Sequence, residues 1–124
     1  MEDNLILQVW NKGQAVPGYD STKYRKDQCG AWMTFSEYGN RSSIYGWEID
    51  HITPQSKGGS DALSNLRPLQ WENNMAKSNG RLSCAVTSEG DHNCNKQTFF
   101  VLFFVKLFVH FLVPFRSSLV RVYC

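Results

Sequence analysis

Residues 44–52 (IYGWEIDHI) alternate with a period of two, placing Trp47, Ile49 and His51 on one face and Gly46, Glu48 and Asp50 on the other. That pattern predicts a strand, and Pro54 ends it because proline has no N–H for a ladder. A turn-rich loop follows at residues 56–61 (SKGGSD), built on Gly58 and Gly59. Residues 65–69 (NLRPL) offer a second short strand, with Pro68 suited to an edge. Residues 70–78 (QWENNMAKS) then read as a helix of about two turns, closed by Asn79-Gly80. Strand, loop, strand and helix within about 35 residues leave few ways to fold this stretch.

The rest of the chain is less regular. Residues 5–10 (LILQVW) predict a short strand or a helix start, and Gly13, Pro17 and Gly18 punctuate a loop. Residues 31–38 (AWMTFSEY) are amphipathic but too short to assign. With 124 residues the chain has room for one domain. Its apolar content is uneven: seven of the eight Phe residues lie in residues 99–115 (FFVLFFVKLFVHFLVPF). Fourteen apolar residues there, at about −0.3 to −0.6 kcal/mol each, are largely offset by Lys106, His110 and Pro114. That run reads as buried structure, as a C-terminal membrane anchor, or as an aberrant tail such as a shifted reading frame produces.

Charge does not select a partner. The net charge is +2, and residues 1–80 hold eight Lys/Arg against nine Asp/Glu. Local grouping says more: Lys23, Arg25 and Lys26 lie together beside Tyr19 and Tyr24, either as a solvated loop or as a strip contacting phosphates. None of the cysteines at 29, 84, 94 and 124 forms a C-x-x-C pair, which argues against structural zinc. The start MEDN is acidic and residues 5–10 are too short and polar for a signal-peptide core. Free thiols in a reducing cytoplasm are the expectation that follows.

The chemistry concentrates in the legible segment. Asp50 offers a hard oxygen for Mg²⁺ or Mn²⁺, and the His51 imidazole suits proton removal from water near neutral pH. As neighbours on a strand they point to opposite faces, so they share a reaction centre only where the strand bends or ends. On the helix, Asn74 and Lys77 are three apart and share a face, giving a second oxygen ligand and a charge for a phosphate. Carboxylate, amide, imidazole and cation are the parts of metal-assisted phosphodiester hydrolysis. Trp47 and Trp71 flank the segment and are expected to pack the helix onto the hairpin, with Trp10 and Trp32 in the core.

The run WEIDHITPQSKGGSDALSNLRPLQWENNMAKSN resembles the HNH endonucleases in order and spacing: D-H-I-x-P, a Gly-Gly loop, S-N-L-x-P-L, and N-x-x-K. The upstream stretch YRKDQCGAWMTFSEYGNRSSIYG also looks like bacterial members, so similarity spans about residues 8–86. The resemblance implies a small α+β single domain with a ββα-metal (His-Me finger) motif of the HNN type. By position, His51 matches the general base, Asp50 the first metal ligand, and Asn65 the middle residue that fixes the loop and helps orient the base. Asn74 matches the second metal ligand, with Asn73 as a neighbouring rival. Lys77, Lys23, Arg25 and Lys26 are the candidate substrate contacts. One divalent metal, Mg²⁺ or Mn²⁺, is implied, as is double-stranded DNA as substrate, with 5′-phosphate and 3′-hydroxyl products and no small-molecule cofactor. The expected layout is residues 1–43 as the N-terminal part of the nuclease domain, 44–80 as the motif, 81–98 as an extension and 99–124 as the hydrophobic tail. The alternatives are a binding module that no longer cuts and a membrane-anchored, toxin-like nuclease.

Overall fold

The computed structural model describes residues 2–95, and the readings of residues 99–115 fall outside them. Helix α1 (Asp3–Trp10) resolves the ambiguity at residues 5–10 in favour of helix, with Val9 and Trp10 fully buried. Three antiparallel two-stranded sheets follow: β1 (Tyr24–Lys26) with β2 (Trp32–Thr34), β3 (Trp47–His51) with β4 (Leu66–Gln70), and β5 (Val86–Glu89) with β6 (His92–Asn95). Helix α2 (Trp71–Lys77) leaves directly from the end of β4. The result is a small α+β domain.

Among the described residues, tryptophan supplies much of the core. Val9, Trp10, Met33, Trp47 and Leu66 form its buried centre, with Phe35, Tyr38 and Ile49 packed against them. Trp10 and Trp47 sit 5.2 Å apart, and Tyr38 meets Trp47 edge-on at 4.8 Å. Each indole N–H has a carbonyl: Trp10 donates to Ser21, Trp47 to Phe35, Trp32 to Gly90 and Trp71 to Ser43. Buried indoles are tolerated on that condition. Trp71 is only half-buried, and its indole bond reaches the loop before β3.

The first strand of the motif is shorter than the sequence pattern suggested, and the second has its expected length shifted by one residue. Strand β3 covers 47–51 because residues 40–46 are taken up by turns, in which Gly46 N–H donates to Ser43 and Ser43 N–H to Asn40. Gln70 caps α2, its side chain accepting from the N–H groups of Glu72 and Asn73.

A buried carboxylate, Asp27, ties the N-terminal hairpin to this junction. Its Oδ1 accepts from the N–H of Cys29 and of Ala31, and its Oδ2 from Gln70 N–H and Asn73 Nδ2. Asn73 completes the node by donating to the Val86 carbonyl and accepting from Val86 N–H. Burial pushes the Asp27 carboxyl above its ordinary range, and the four donors pull against that. Cys29, two residues on, forms a disulfide with Cys84 across 55 positions of sequence. This corrects the expectation of free thiols: among the described residues no cysteine is free. The spacing gave no sign of the pairing because the two cysteines meet only through tertiary structure. Among the described residues no helix is long and apolar enough to cross a membrane.

Candidate active site

Strands β3 and β4 pair in a register that sets Asp50 opposite Arg67 and His51 opposite Leu66. Helix α2 packs on the face of β3 that carries Glu48 and Asp50. Asn74 Nδ2 donates to Glu48 at 2.8 Å, and Lys77 Nζ lies 3.2 Å from Asp50. His51 is the last residue of β3, where the strand gives way to the loop. Asp50, His51, Asn74 and Lys77 thereby line one open cleft of about 400 Å³, with Pro54 and Gln55 on its rim. Two neighbours on a strand thus line the same cleft.

Asp50 is buried and held by two cations, Arg67 Nε on Oδ2 at 2.8 Å and Lys77 Nζ on Oδ1. Lys77 is itself buried and also donates to the His51 carbonyl at 3.1 Å. Its ammonium is therefore turned into the protein, against Asp50, and does not stand out toward a phosphate. Lys77 is thus a counter-charge for the Asp50 carboxylate, in the wall of the cleft. A buried carboxylate needs such partners, since an unpaired charge at that depth is severely penalised.

Glu48 is held by Arg41 at 2.7 Å, and that pair together with the Asn74 amide keeps its carboxyl below the usual range. Because Asn74 spends its nitrogen on Glu48, its Oδ1 is the atom left to accept or ligate. Asn73, the neighbouring rival for that role, is buried in the Asp27 node and points away from the cleft.

The loop between β3 and β4 is fastened by its own hydrogen bonds. Asn65 accepts from Thr53 N–H and donates to the carbonyls of Thr53 and Ser60, so one side chain fastens both sides of the loop. A Cβ on Gly59 would lie 1.7 Å from the Thr53 carbonyl oxygen, and Gly58 has φ +86°. Lys12, just past α1, adds a clamp by donating to the carbonyls of Leu63 and Leu66. The loop returns Asp61 to the imidazole, with His51 Nε2 2.7 Å from Asp61 Oδ1, and Gln55 donates to the same oxygen.

The basic strip is dispersed. Lys23 is exposed before β1. Arg25 donates to the carbonyls of Ser21 and Gly13, and Lys26 places its ammonium 4.8 Å from the Trp32 ring. Lys26 lines a second cleft, of about 350 Å³, with Lys12, Gln28 and Arg67. Arg25 and Lys26 thus work largely within the fold.

Three residues of the site escaped the sequence reading. Arg67 was recoverable from an opposite-charge pair once the hairpin register is known. Glu48 shares the face of Asp50, but nothing in the sequence linked it to Asn74. Asp61 gave no signal, because a loop carboxylate has no period.

Among the described residues no three His, Cys, Asp or Glu side chains are grouped to hold a metal ion. The oxygens in the cleft that could hold one are the Asp50 carboxylate and the Asn74 amide oxygen. This sparse, all-oxygen set fits Mg²⁺ or Mn²⁺, which bind through one or two carboxylates and leave other positions to water and phosphate. Asp50 has room for it, since an ionised carboxylate accepts at about four positions and two are used here.

No curated protein and no solved structure matches the chain. Residues 36–80 match the model of the HNH endonuclease family, a span that holds β3, the Asn65 loop, β4 and α2. By that match, the segment from 36 to 80 is similar to the HNH endonuclease family.

Proposed function

We propose that the protein is a metal-dependent endonuclease that hydrolyses phosphodiester bonds in double-stranded DNA, with His51 as general base. The observation that supports this most is the convergence of Asp50, His51 and Asn74 on one open cleft at the end of a hairpin. Asp50 and Asn74 would hold one Mg²⁺ or Mn²⁺. When bound, the cation polarises the scissile phosphate and stabilises charge on the departing 3′-oxygen. His51 draws a proton from the attacking water as the water oxygen bonds to phosphorus and the bond to the 3′-oxygen breaks. Asn65 keeps the loop, and through it the imidazole, in place. Lys77 and Arg67 neutralise Asp50 and leave the cleft wall locally positive, which favours an approaching phosphate. Lys23 is the exposed member of the basic strip and the one best able to meet the DNA backbone, with Arg25 and Lys26 as supports.

A second reading, a DNA-binding module that does not cut, draws on one observation: both oxygens of Asp50 already carry a cation. Supercoiled plasmid separates the two readings. The nuclease converts it to nicked or linear forms with Mg²⁺ or Mn²⁺ and stops in EDTA. A binding module retards the plasmid under both conditions and leaves it uncut.

A further inference from the structure

We infer that Asp61 is a positioning residue for His51, holding the ring in one orientation and one tautomer so that Nδ1 faces the water. The inference rests on the reading of His51 as general base. It begins from the 2.7 Å contact between His51 Nε2 and Asp61 Oδ1. An ionised carboxylate only accepts hydrogen bonds, so Nε2 must carry the hydrogen. In the neutral ring the lone pair is then on Nδ1, the nitrogen able to take a proton. The logic is that of any carboxylate–imidazole pair in which the carboxylate orients and does not itself react.

The loop is built to make this contact reliable. Asp61 is 77% exposed at its side chain, and a carboxylate at such a site normally wanders among solvent-facing rotamers. Here three constraints hold it. Asn65 bonds the Ser60 carbonyl at 2.7 Å, next to Asp61 in sequence. Gly59 lies where any Cβ would collide with the Thr53 carbonyl. Gln55 Nε2 donates to the same Asp61 oxygen at 3.0 Å, from the turn that leaves β3. The last bond also makes the conservative variant informative. In Asp61→Asn, Gln55 and His51 both present N–H groups to one position, which selects the amide oxygen over the amide nitrogen. The asparagine should therefore preserve the tautomer.

Two readouts on the full chain test this. The first is a long-range ¹⁵N–¹H spectrum of the histidine rings at a pH where they are neutral, with the His51 signals assigned by their loss in His51→Ala. Wild type and Asp61→Asn should show a single Nε2–H tautomer. Asp61→Ala should show the two ring nitrogens drawn toward the averaged shifts of a freely exchanging imidazole. The second is single-turnover plasmid cleavage with DNA affinity measured in EDTA. Asp61→Ala should cleave about 10- to 100-fold more slowly at unchanged affinity, a part of the 10² to 10⁴ that a general base supplies. Asp61→Asn should recover most of that loss.

A single tautomer at wild-type rate in Asp61→Ala would overturn the inference, as would Asp61→Asn behaving like the alanine variant. Because Asp61 is exposed, melting curves should show all three proteins folded. If wild type does not cleave at all, the reading of function fails, while the ring spectra still decide whether Asp61 sets the tautomer.

Discussion

Replacing Asp27 by Asn changes one atom at the junction that carries α2, and the structure allows its effect to be worked out. The carboxylate accepts four hydrogen bonds, two on each oxygen, from Cys29, Ala31, Gln70 and Asn73. An amide keeps one oxygen and turns an NH₂ toward the other two donors, which cannot bond to it. Leaving a buried donor unsatisfied costs about 1–3 kcal/mol, so two cost about 2–6 kcal/mol. Relief of the buried charge, the same burial that pushes this carboxyl above its ordinary range, offsets part of that. The net expectation is a loss of about 2–4 kcal/mol at neutral pH. Urea unfolding followed by tryptophan fluorescence reads it directly, because Trp10 and Trp47 lie in the core. With a slope of about 1–3 kcal/mol per molar, the midpoint should fall by about 1–3 M at unchanged slope. Asp27→Ala should fall at least as far, since it strands all four donors. An unchanged midpoint in Asp27→Asn would refute the claim that this carboxylate holds the hairpin to the helix.

Other perturbations follow from the same geometry. Reducing Cys29–Cys84 frees a loop of 55 positions and should lower stability by about 4 kcal/mol, seen as a drop in Tm with a phosphine reductant; an unchanged Tm would argue against the bridge. Lys77→Met keeps the buried stem but leaves Asp50 with Arg67 as its counter-charge, and should destabilise by about 3 kcal/mol in the same urea assay. If Lys77 acted on substrate alone, stability would hold and only DNA affinity would fall. Asn74→Ala removes an oxygen proposed for the metal and should raise the Mn²⁺ concentration for half-maximal cleavage by at least about tenfold. An unchanged metal requirement would remove Asn74 from that role.

What the sequence disclosed depends on whether a feature is local. Strand β3 has a two-residue period over a half-buried ribbon, and α2 has a cap and a stop, so both were readable. The candidates Asp50, His51, Asn65 and Asn74 came together in the sequence through the resemblance to the HNH endonucleases. Strand β1 was not: YRK has three polar or amphipathic residues, and it is a strand because Lys26 and Gln14 exchange backbone bonds and β2 pairs beside it. Strands β5 and β6 (VTSE and HNCN) lack an apolar alternation as well, and rest on the Asn73 node and on Asn93, which bonds the backbone of Trp32. Charge pairs were the hardest to see. A lysine one turn after Asn74 suggests a phosphate contact, and only the fold shows that its ammonium pairs with buried Asp50. Asp61 reaches His51 through a ten-residue separation that only the folded loop defines.

The central claim is that His51 removes a proton from water in a metal-dependent cut, and plasmid nicking by His51→Ala tests it most directly. Wild type should nick supercoiled DNA with Mg²⁺ or Mn²⁺ and stop in EDTA. His51→Ala, folded and binding DNA with wild-type affinity, should be slower by about 10²- to 10⁴-fold. Cleavage by His51→Ala at the wild-type rate, with metal and without contaminating nuclease, would contradict the account.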